Sequence, residues 1–286
     1  MNRLYRYAAP LGFLAFCLSL APWLYDFPLN DDWAYALTVK NLLAQGRLVL
    51  CDWGASTQLP HLLGGALFAK LSGFSFTALR AYNMAVAAAL VLVLYRTLEE
   101  FEIEPADRLL AVLAFCLNPL FLVLSNSFMT DVTYLFWMAL ASYLFIRYLK
   151  TGGTGWLTGC GLCAAAACLT RQLGVAVPLA CTLTLAWERK LTFKKTLYIW
   201  AFPLAALAGY ALWFKFVHGP TWASGNYVLA ATLKHLSSPA AFASAALYRL
   251  FAVLMETGLV LLPLAAGCYY YAGGFPAGAP PDPAAA

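Results

Sequence analysis

Long apolar runs separated by short polar segments make up most of this sequence of 286 residues. A membrane-spanning helix needs roughly 20 mostly apolar residues, and flanking Arg or Lys side chains extend the reach of a shorter one. Eight stretches fit that description, namely 7–25, 76–95, 109–125, 132–146, 154–170, 173–187, 196–214 and 247–271. The pattern therefore predicts an all-α integral membrane protein with about eight transmembrane helices.

The first of these runs also has one feature of a secretory signal peptide, since Arg3 and Arg6 precede it. Its end, Ala21 to Tyr25, lacks a clear small-residue cleavage site, so we interpret it as a retained span. Residues 1–271 are predicted to form one transmembrane module. Residues 272–286 are almost entirely Gly, Pro and Ala and are predicted to be a disordered tail.

The amino-acid composition also indicates that this chain lies in a lipid membrane. Hydrophobic residues make up 63% and charged residues 11%, whereas a soluble domain carries roughly 25% charged residues. The net charge of +5 is spread along the chain, without the basic run that binds nucleic acid. Of the cysteines, Cys51 alone lies in a polar segment, so no disulfide framework is predicted. The Cys160-x-x-Cys163 pair lies among Gly and Ala and is interpreted as small packing residues.

Basic residues in short loops predict the orientation, because cytoplasmic loops carry an excess of Lys and Arg. The densest cluster, residues 189–195, lies in a short loop between the sixth and seventh predicted spans. Placing this loop inside puts the N-terminus in the cytoplasm and leaves two long polar segments, 26–75 and 217–246, outside. We therefore expect a multi-pass protein whose chemistry faces the non-cytoplasmic side.

The first outer segment contains a predicted helix that begins with two acids, Asp31 and Asp32. Asn30 or Asp31 is a natural N-cap, and Gly46 is a natural stop. Apolar residues form a stripe along this helix and Lys40 adds a polar position, which predicts an amphipathic helix on the outer membrane face; the stripe consists of Trp33, Leu37 and Leu43. The two acids either complement the helix dipole or include a catalytic base.

Several short motifs follow one another in an order that resembles the GT-C glycosyltransferases, in particular the protein O-mannosyltransferases and the lipid A aminoarabinose transferases. They are Asp31-Asp32-x-x-Tyr35 followed by 42–46, then 58–62, 76–80, Asn118-Pro119, 127–131 and 169–174. Three positions depart from the usual family residues, because Asp32 stands for a frequent Glu, His61 for Pro and Arg171 for Lys. The resemblance covers roughly residues 1–215.

The resemblance implies inverting transfer of a hexose or pentose from a polyprenyl-phosphate donor to a hydroxyl of a lipid, glycan or protein acceptor. It implies a bacterial inner membrane location, with the active site outside. Asp31, with Asp32 beside it, would be the general base, and the phosphate would be held by Arg80, Arg171 and Lys40. Accessory roles would fall to Asp131, His61 and Tyr35. A divalent metal between phosphate and carboxylate is left open.

Three of these residues also have a structural interpretation, whereas for Arg171, a charge between two apolar runs, function is the default hypothesis. Arg80 is of a kind that commonly extends to the membrane interface, Asp131 is placed to cap a helix, and His61 suits the start of one. At the level of the whole chain, the alternatives are a transporter of small solutes or lipids and an inactive GT-C fragment. A transporter is expected to collect its charges at the bilayer midplane, whereas a GT-C enzyme collects them at the outer interface.

Overall fold

The computed structural model describes residues 2–20, 24–54, 56–226, 238, 240, 242–244 and 246–255. It divides into two compact units, Met1–Asn226 and Tyr227–Ala286. The second unit contributes one apolar helical segment, Phe242–Met255. The rest of the eighth predicted span and the predicted tail, residues 256–286, lie outside the described residues.

The first unit is helical, and its described residues contain no β-strand. The helices are α1 Asn2–Ser19, α2 Asp32–Gln45, α3 Leu59–Ser72, α4 Phe76–Glu100, α5 Pro105–Cys116, α6 Pro119–Ser125, α7 Thr130–Thr151, α8 Thr154–Thr170, α9 Ala176–Trp187, α10 Phe193–Trp213 and α11 Trp222–Asn226. A 3₁₀ turn, Gln172–Val175, precedes α9, and a π-helical turn, Phe214–His218, extends α10. The prediction of an all-α fold is confirmed for these residues.

Three helical segments among the described residues are long and apolar enough to cross a membrane, namely Phe76–Glu100, Thr130–Thr151 and Phe193–His218. The bent pair α5 and α6 makes a fourth if it counts as one span. Two shorter apolar segments, Thr154–Thr170 and Gln172–Trp187, coincide with predicted spans. The structure thus places helices where the apolar runs predicted them, while the number of eight spans stays a prediction.

One predicted span, residues 109–125, is broken rather than continuous. α5 and α6 meet at an angle of 68° around Leu117 and Asn118. Pro119 disfavours the helical conformation in the residue before it, and Asn118 accordingly has an extended backbone. The Asn118 side chain then accepts hydrogen bonds from the N–H groups of Leu120 and Phe121, which starts the new helix.

The two ends of the unit are each held by their own ion pairs and hydrogen bonds. At one end, which we call the site end, Arg80 in the second turn of α4 binds the segment that follows α1. At the opposite end Glu99, near the end of α4, binds Arg6 of α1 and Arg108 of α5. Arg80 and Glu99 are 19 positions apart, which is about 28 Å of helix and close to the thickness of a hydrocarbon core. These two charged side chains therefore lie at opposite ends of α4.

Candidate functional site

The two acids at the start of α2 have different surroundings. Asp31 is the N-cap residue, is exposed, and makes no capping hydrogen bond with its side chain among the described residues. Asp32 is fully buried. Its Oδ1 accepts the Leu29 N–H at 2.7 Å, and its Oδ2 accepts the Phe128 N–H at 3.3 Å. Asp31 is thus available to a substrate, whereas Asp32 is engaged within the protein.

Burial raises the pKa of Asp32, because a carboxylate loses its hydration there. The two backbone N–H groups and the positive charge of Arg80 act in the other direction and favour the ionised form. A buried carboxylate with these partners is suited to a structural role. It joins the start of α2 to the Phe128 segment between α6 and α7.

Arg80, in the second turn of α4, is 2% exposed. Its Nη1 donates to the carbonyl of Tyr25 at 2.5 Å, and its Nη2 donates to the carbonyl of Phe27. The guanidinium also lies 5.7 Å from the centre of the Phe27 ring. Arg80 therefore holds the segment that leads into α2, and its charge faces Asp32.

Arg171 and Asp131 form a partly exposed ion pair at the same end. Arg171 lies between α8 and the 3₁₀ turn, and its Nη2 donates to Asp131 Oδ2 at 2.8 Å. Its Nε donates to Thr130 Oγ1 at 2.9 Å. The two charged side chains retain 30% and 33% exposure, so a ligand can reach them. Tyr35 of α2 interacts electrostatically with both charges, which connects this pair to the helix that carries Asp31.

His61 is fully buried behind this surface. Its Nε2 lies 3.2 Å from the carbonyl of Phe128, and its Nδ1 lies 2.9 Å from Thr133 Oγ1. The carbonyl can only accept, so Nε2 carries the proton and Nδ1 accepts from the hydroxyl. Burial lowers the pKa of His61 to about 3, which keeps the ring neutral near neutral pH. His61 therefore joins α3 to α7 and is poorly placed to meet a ligand.

Phe128 is the link that the sequence did not reveal. Its N–H binds Asp32 and its carbonyl binds His61, so one residue fixes both helix starts. Its ring stacks on the His61 ring at 4.0 Å. It also fills a space that a Cβ on Gly65 would occupy, since that atom would lie 2.3 Å from the Phe128 ring. The glycine at position 65 was a signal in the sequence that another group packs closely against α3 there. It does not identify Phe128 as that group.

Lys40 stands apart from the other candidate phosphate ligands. It lies on the exposed side of α2, eight residues or about 12 Å along the helix from Asp32. Its ammonium group lies 5.9 Å from the centre of the Phe74 ring. The structure thus brings Asp31, Asp32, Arg80, Asp131 and Arg171 to one end, with Tyr35 and His61 between them, and leaves Lys40 at the periphery.

The described residues contain no group of three His, Cys, Asp or Glu side chains that is arranged to hold a metal ion. The site end nevertheless offers the exposed carboxylate of Asp31 and the partly exposed guanidinium of Arg171. A carboxylate can take a proton from a hydroxyl, and a planar guanidinium can bind two oxygens of a phosphate. Together these groups fit a reaction between a hydroxyl and a phosphate ester.

A known protein family matches a large part of this chain. The family model for dolichyl-phosphate-mannose-protein mannosyltransferases matches residues 65–214, which is just over half of the chain. This range includes Arg80, Asp131 and Arg171, whereas the acid pair and His61 precede it. No curated protein matches the chain.

Two solved structures share the fold. One is the Saccharomyces cerevisiae protein O-mannosyltransferase Pmt1-Pmt2 complex bound to the sugar donor, with 16% identity and a TM-score of 0.57. The other is ArnT from Cupriavidus metallidurans in the apo state, with 18% identity and a TM-score of 0.51. Each alignment covers 73% of this chain but only 32% and 44% of those chains, respectively. The chain therefore spans less than half the length of either protein.

Proposed function

The chain belongs to the dolichyl-phosphate-mannose-protein mannosyltransferase family, and from this membership we propose that it is a glycosyltransferase of the membrane. Its donor is a sugar linked to a polyprenyl phosphate, and its acceptor is a hydroxyl group of a lipid, glycan or protein. The observation that supports this proposal best is that an exposed carboxylate, Asp31, and the partly exposed Arg171–Asp131 pair both lie at the site end of the unit.

In the proposed reaction Asp31 accepts the proton of the acceptor hydroxyl. At the same time the oxygen of that hydroxyl attacks the anomeric carbon of the sugar. The bond from that carbon to the phosphate oxygen breaks on the opposite face, so the configuration inverts. Arg171 turns from Asp131 to the phosphate and stabilises the negative charge that develops there. Arg80 holds the segment before α2 and favours the ionised form of Asp32, and Lys40 attracts the anionic donor from the periphery.

The impermeability of a bilayer to charged molecules favours a lipid-linked donor. The charged phosphates of a nucleotide sugar cannot cross a bilayer, so an enzyme on the outer face needs a sugar that arrives on a lipid. A prenyl chain fits the exposed apolar side chains of α3, which recur at Leu63, Leu67 and Leu71 along one face. The proposed topology has eight spans, a cytoplasmic N-terminus and a site outside, in a bacterial inner membrane.

The transporter alternative is less well supported by where the charges lie. In each of the three candidate spans, all Asp, Glu, Lys and Arg residues fall within the first five or last five positions. A transporter of ions or charged solutes is expected to expose such residues near the bilayer midplane. Charges at the helix ends instead suit a reaction at the membrane surface.

Donor use tests the proposed function directly. Purified protein is expected to transfer or bind sugar from a labelled polyprenyl-phosphate sugar and to ignore a labelled nucleotide sugar. The measurement is the radioactivity recovered in the acceptor fraction, with heat-treated protein as the control. Use of the nucleotide sugar with no response to the lipid-linked one would contradict the proposed donor. Failure with both donors would favour the inactive fragment.

Thiol labelling tests the proposed orientation. Cys51 lies in the loop between α2 and α3 and is partly exposed, whereas the other described cysteines are buried. A membrane-impermeant maleimide added to intact cells is therefore expected to label Cys51 and little else. The Cys51→Ala variant supplies the background, and mass shift on a gel supplies the readout. Labelling that requires permeabilised cells would reverse the orientation.

A further inference from the structure

A groove at the opposite end of the unit, away from the candidate site, is not used by the proposed reaction. α1 and α7 both pack on α4, and between them they leave a groove with a volume of about 270 Å³. α4 contributes Leu92 to the floor and Arg96 to the mouth. Arg6 of α1 lines one wall, and Leu140 and Tyr143 of α7 line the other.

The mouth of this groove carries a surplus of positive charge. Glu99 contacts three arginines, with nitrogen–oxygen distances of 2.8 Å to Arg6, 3.2 Å to Arg108 and 3.7 Å to Arg96. One carboxylate therefore faces three guanidinium groups among the described residues. Arg6 and Arg108 bind Glu99 closely, whereas Arg96 makes only the long contact through Nε and keeps 38% of its side chain exposed. An anion beside Arg96 and Arg6 would balance this charge.

The lining changes from charged to apolar along the helix axis. Arg96 lies near the end of α4, and Leu92 lies one turn further into the helix on the same face. Leu140 lies deeper in α7 than Tyr143, which faces the same groove nearer the charged end. A charged mouth above an apolar floor is the polarity of a phospholipid, whose headgroup carries the charge and whose chain is apolar.

We propose that this groove binds an anionic phospholipid, with the headgroup phosphate between Arg96 and Arg6 and the start of an acyl chain against Leu92 and Leu140. Basic pockets between membrane helices bind anionic headgroups in this way. A free phosphate is disfavoured because it leaves the apolar floor uncovered. A further helix is too large, since two turns about 10 Å wide need roughly 850 Å³.

The chain offers a closely matched pair of variants for the test. Arg96→Gln removes the charge at the mouth of the groove. Lys150→Gln removes one charge at the same end, where Lys150 contacts Glu100 at 3.8 Å and is 42% exposed, but Lys150 does not line the groove. Leu140→Trp keeps the charge and fills the apolar half of the groove.

Native mass spectrometry of the purified full chain, titrated with phosphatidylglycerol, measures the apparent affinity. Each basic residue near an anionic headgroup contributes about 1 kcal/mol, so Arg96→Gln is expected to weaken binding by about fivefold. Leu140→Trp is expected to weaken it similarly, and Lys150→Gln by less than twofold. Phosphatidylcholine and glycerol phosphate, titrated in parallel, are expected to bind more weakly than phosphatidylglycerol.

Three results would overturn this site. They are equal binding of phosphatidylglycerol by the wild type and Arg96→Gln, equal losses in Arg96→Gln and Lys150→Gln, or equal affinity for phosphatidylcholine. Glycerol phosphate that binds as well as the lipid would assign the groove to a soluble anion instead. Melting temperatures without added lipid show whether each variant is folded. None of these measurements depends on sugar transfer, so they are independent of the proposed function.

Discussion

Asp31→Asn is expected to lower the rate of sugar transfer by about 10²–10⁴-fold, the usual effect of losing one general base. Asn keeps the size of the side chain but cannot accept a proton at neutral pH. Asp31 is exposed at the start of α2, so the substitution removes no hydrogen bond that the structure assigns to its side chain. The melting temperature is therefore expected to stay unchanged while the rate falls. The measurement is the initial rate with a labelled polyprenyl-phosphate sugar.

Asp32→Asn is the matched control for this experiment. Asp32 accepts N–H bonds from Leu29 and Phe128, and an Asn amide offers one acceptor oxygen where two are needed. One backbone N–H would lose its partner, at a cost of about 1–3 kcal/mol in stability. We therefore expect Asp32→Asn to lower the melting temperature more than Asp31→Asn and the rate less. The opposite order of rates would move the base to Asp32.

Arg171→Ala is expected to weaken donor binding by about ten- to a hundredfold. Hydrogen bonds to charged groups contribute about 1.5–3 kcal/mol each, and a guanidinium can offer two to one phosphate. Arg171 gives up its hydrogen bond to Asp131 in the exchange, so the net gain is that of about one bond. Arg171 remains 30% exposed while bound to Asp131, so it can exchange that carboxylate for a phosphate. The affinity for a labelled polyprenyl-phosphate sugar measures the effect, and Arg171→Lys, which loses the planar fork, is expected to restore it only in part.

Asp131→Asn separates a ligand role of Arg171 from a structural one. The substitution removes the charge that competes for Arg171, so donor binding is expected to be unchanged or tighter. If the ion pair only joined α7 to α8, both variants would lower stability alike and neither would alter donor affinity. That outcome would exclude Arg171 as the phosphate ligand.

Arg80→Ala is expected to behave differently from Arg171→Ala, although both residues are candidate phosphate ligands. Arg80 is buried and holds the carbonyls of Tyr25 and Phe27. Its loss removes the donor of two backbone carbonyls and leaves the charge of Asp32 with less compensation. Each hydrogen bond to a charged group contributes about 1.5–3 kcal/mol. Unfolding in detergent is therefore the expected result, measured as a large drop in melting temperature.

Local features of the sequence determined much of the fold. The run 154–170 coincides with α8, and Gly46 ends α2 with φ 66° and an N–H bond to the Leu42 carbonyl. Both follow from interactions within a few residues, because apolar length sets a buried helix and a left-handed turn favours glycine. The break at Asn118-Pro119 was also local, but the apolar run concealed it.

The sequence also placed its candidate residues at the same end, because alternating spans return to one side of a membrane. It did not separate the roles of neighbours such as Asp31 and Asp32. Their difference comes from Phe128, almost a hundred residues away, whose N–H binds only Asp32.

Burial likewise distinguishes Arg80 from Arg171, since the segment after α1 covers Arg80 while Arg171 stays partly exposed. Every residue except proline carries the same backbone N–H, so the sequence cannot mark which one will meet a carboxylate. Local sequence thus determined where the helices and the polar residues lie along the chain. Which carboxylate stays accessible and which arginine is engaged were decided only by the packing of distant segments.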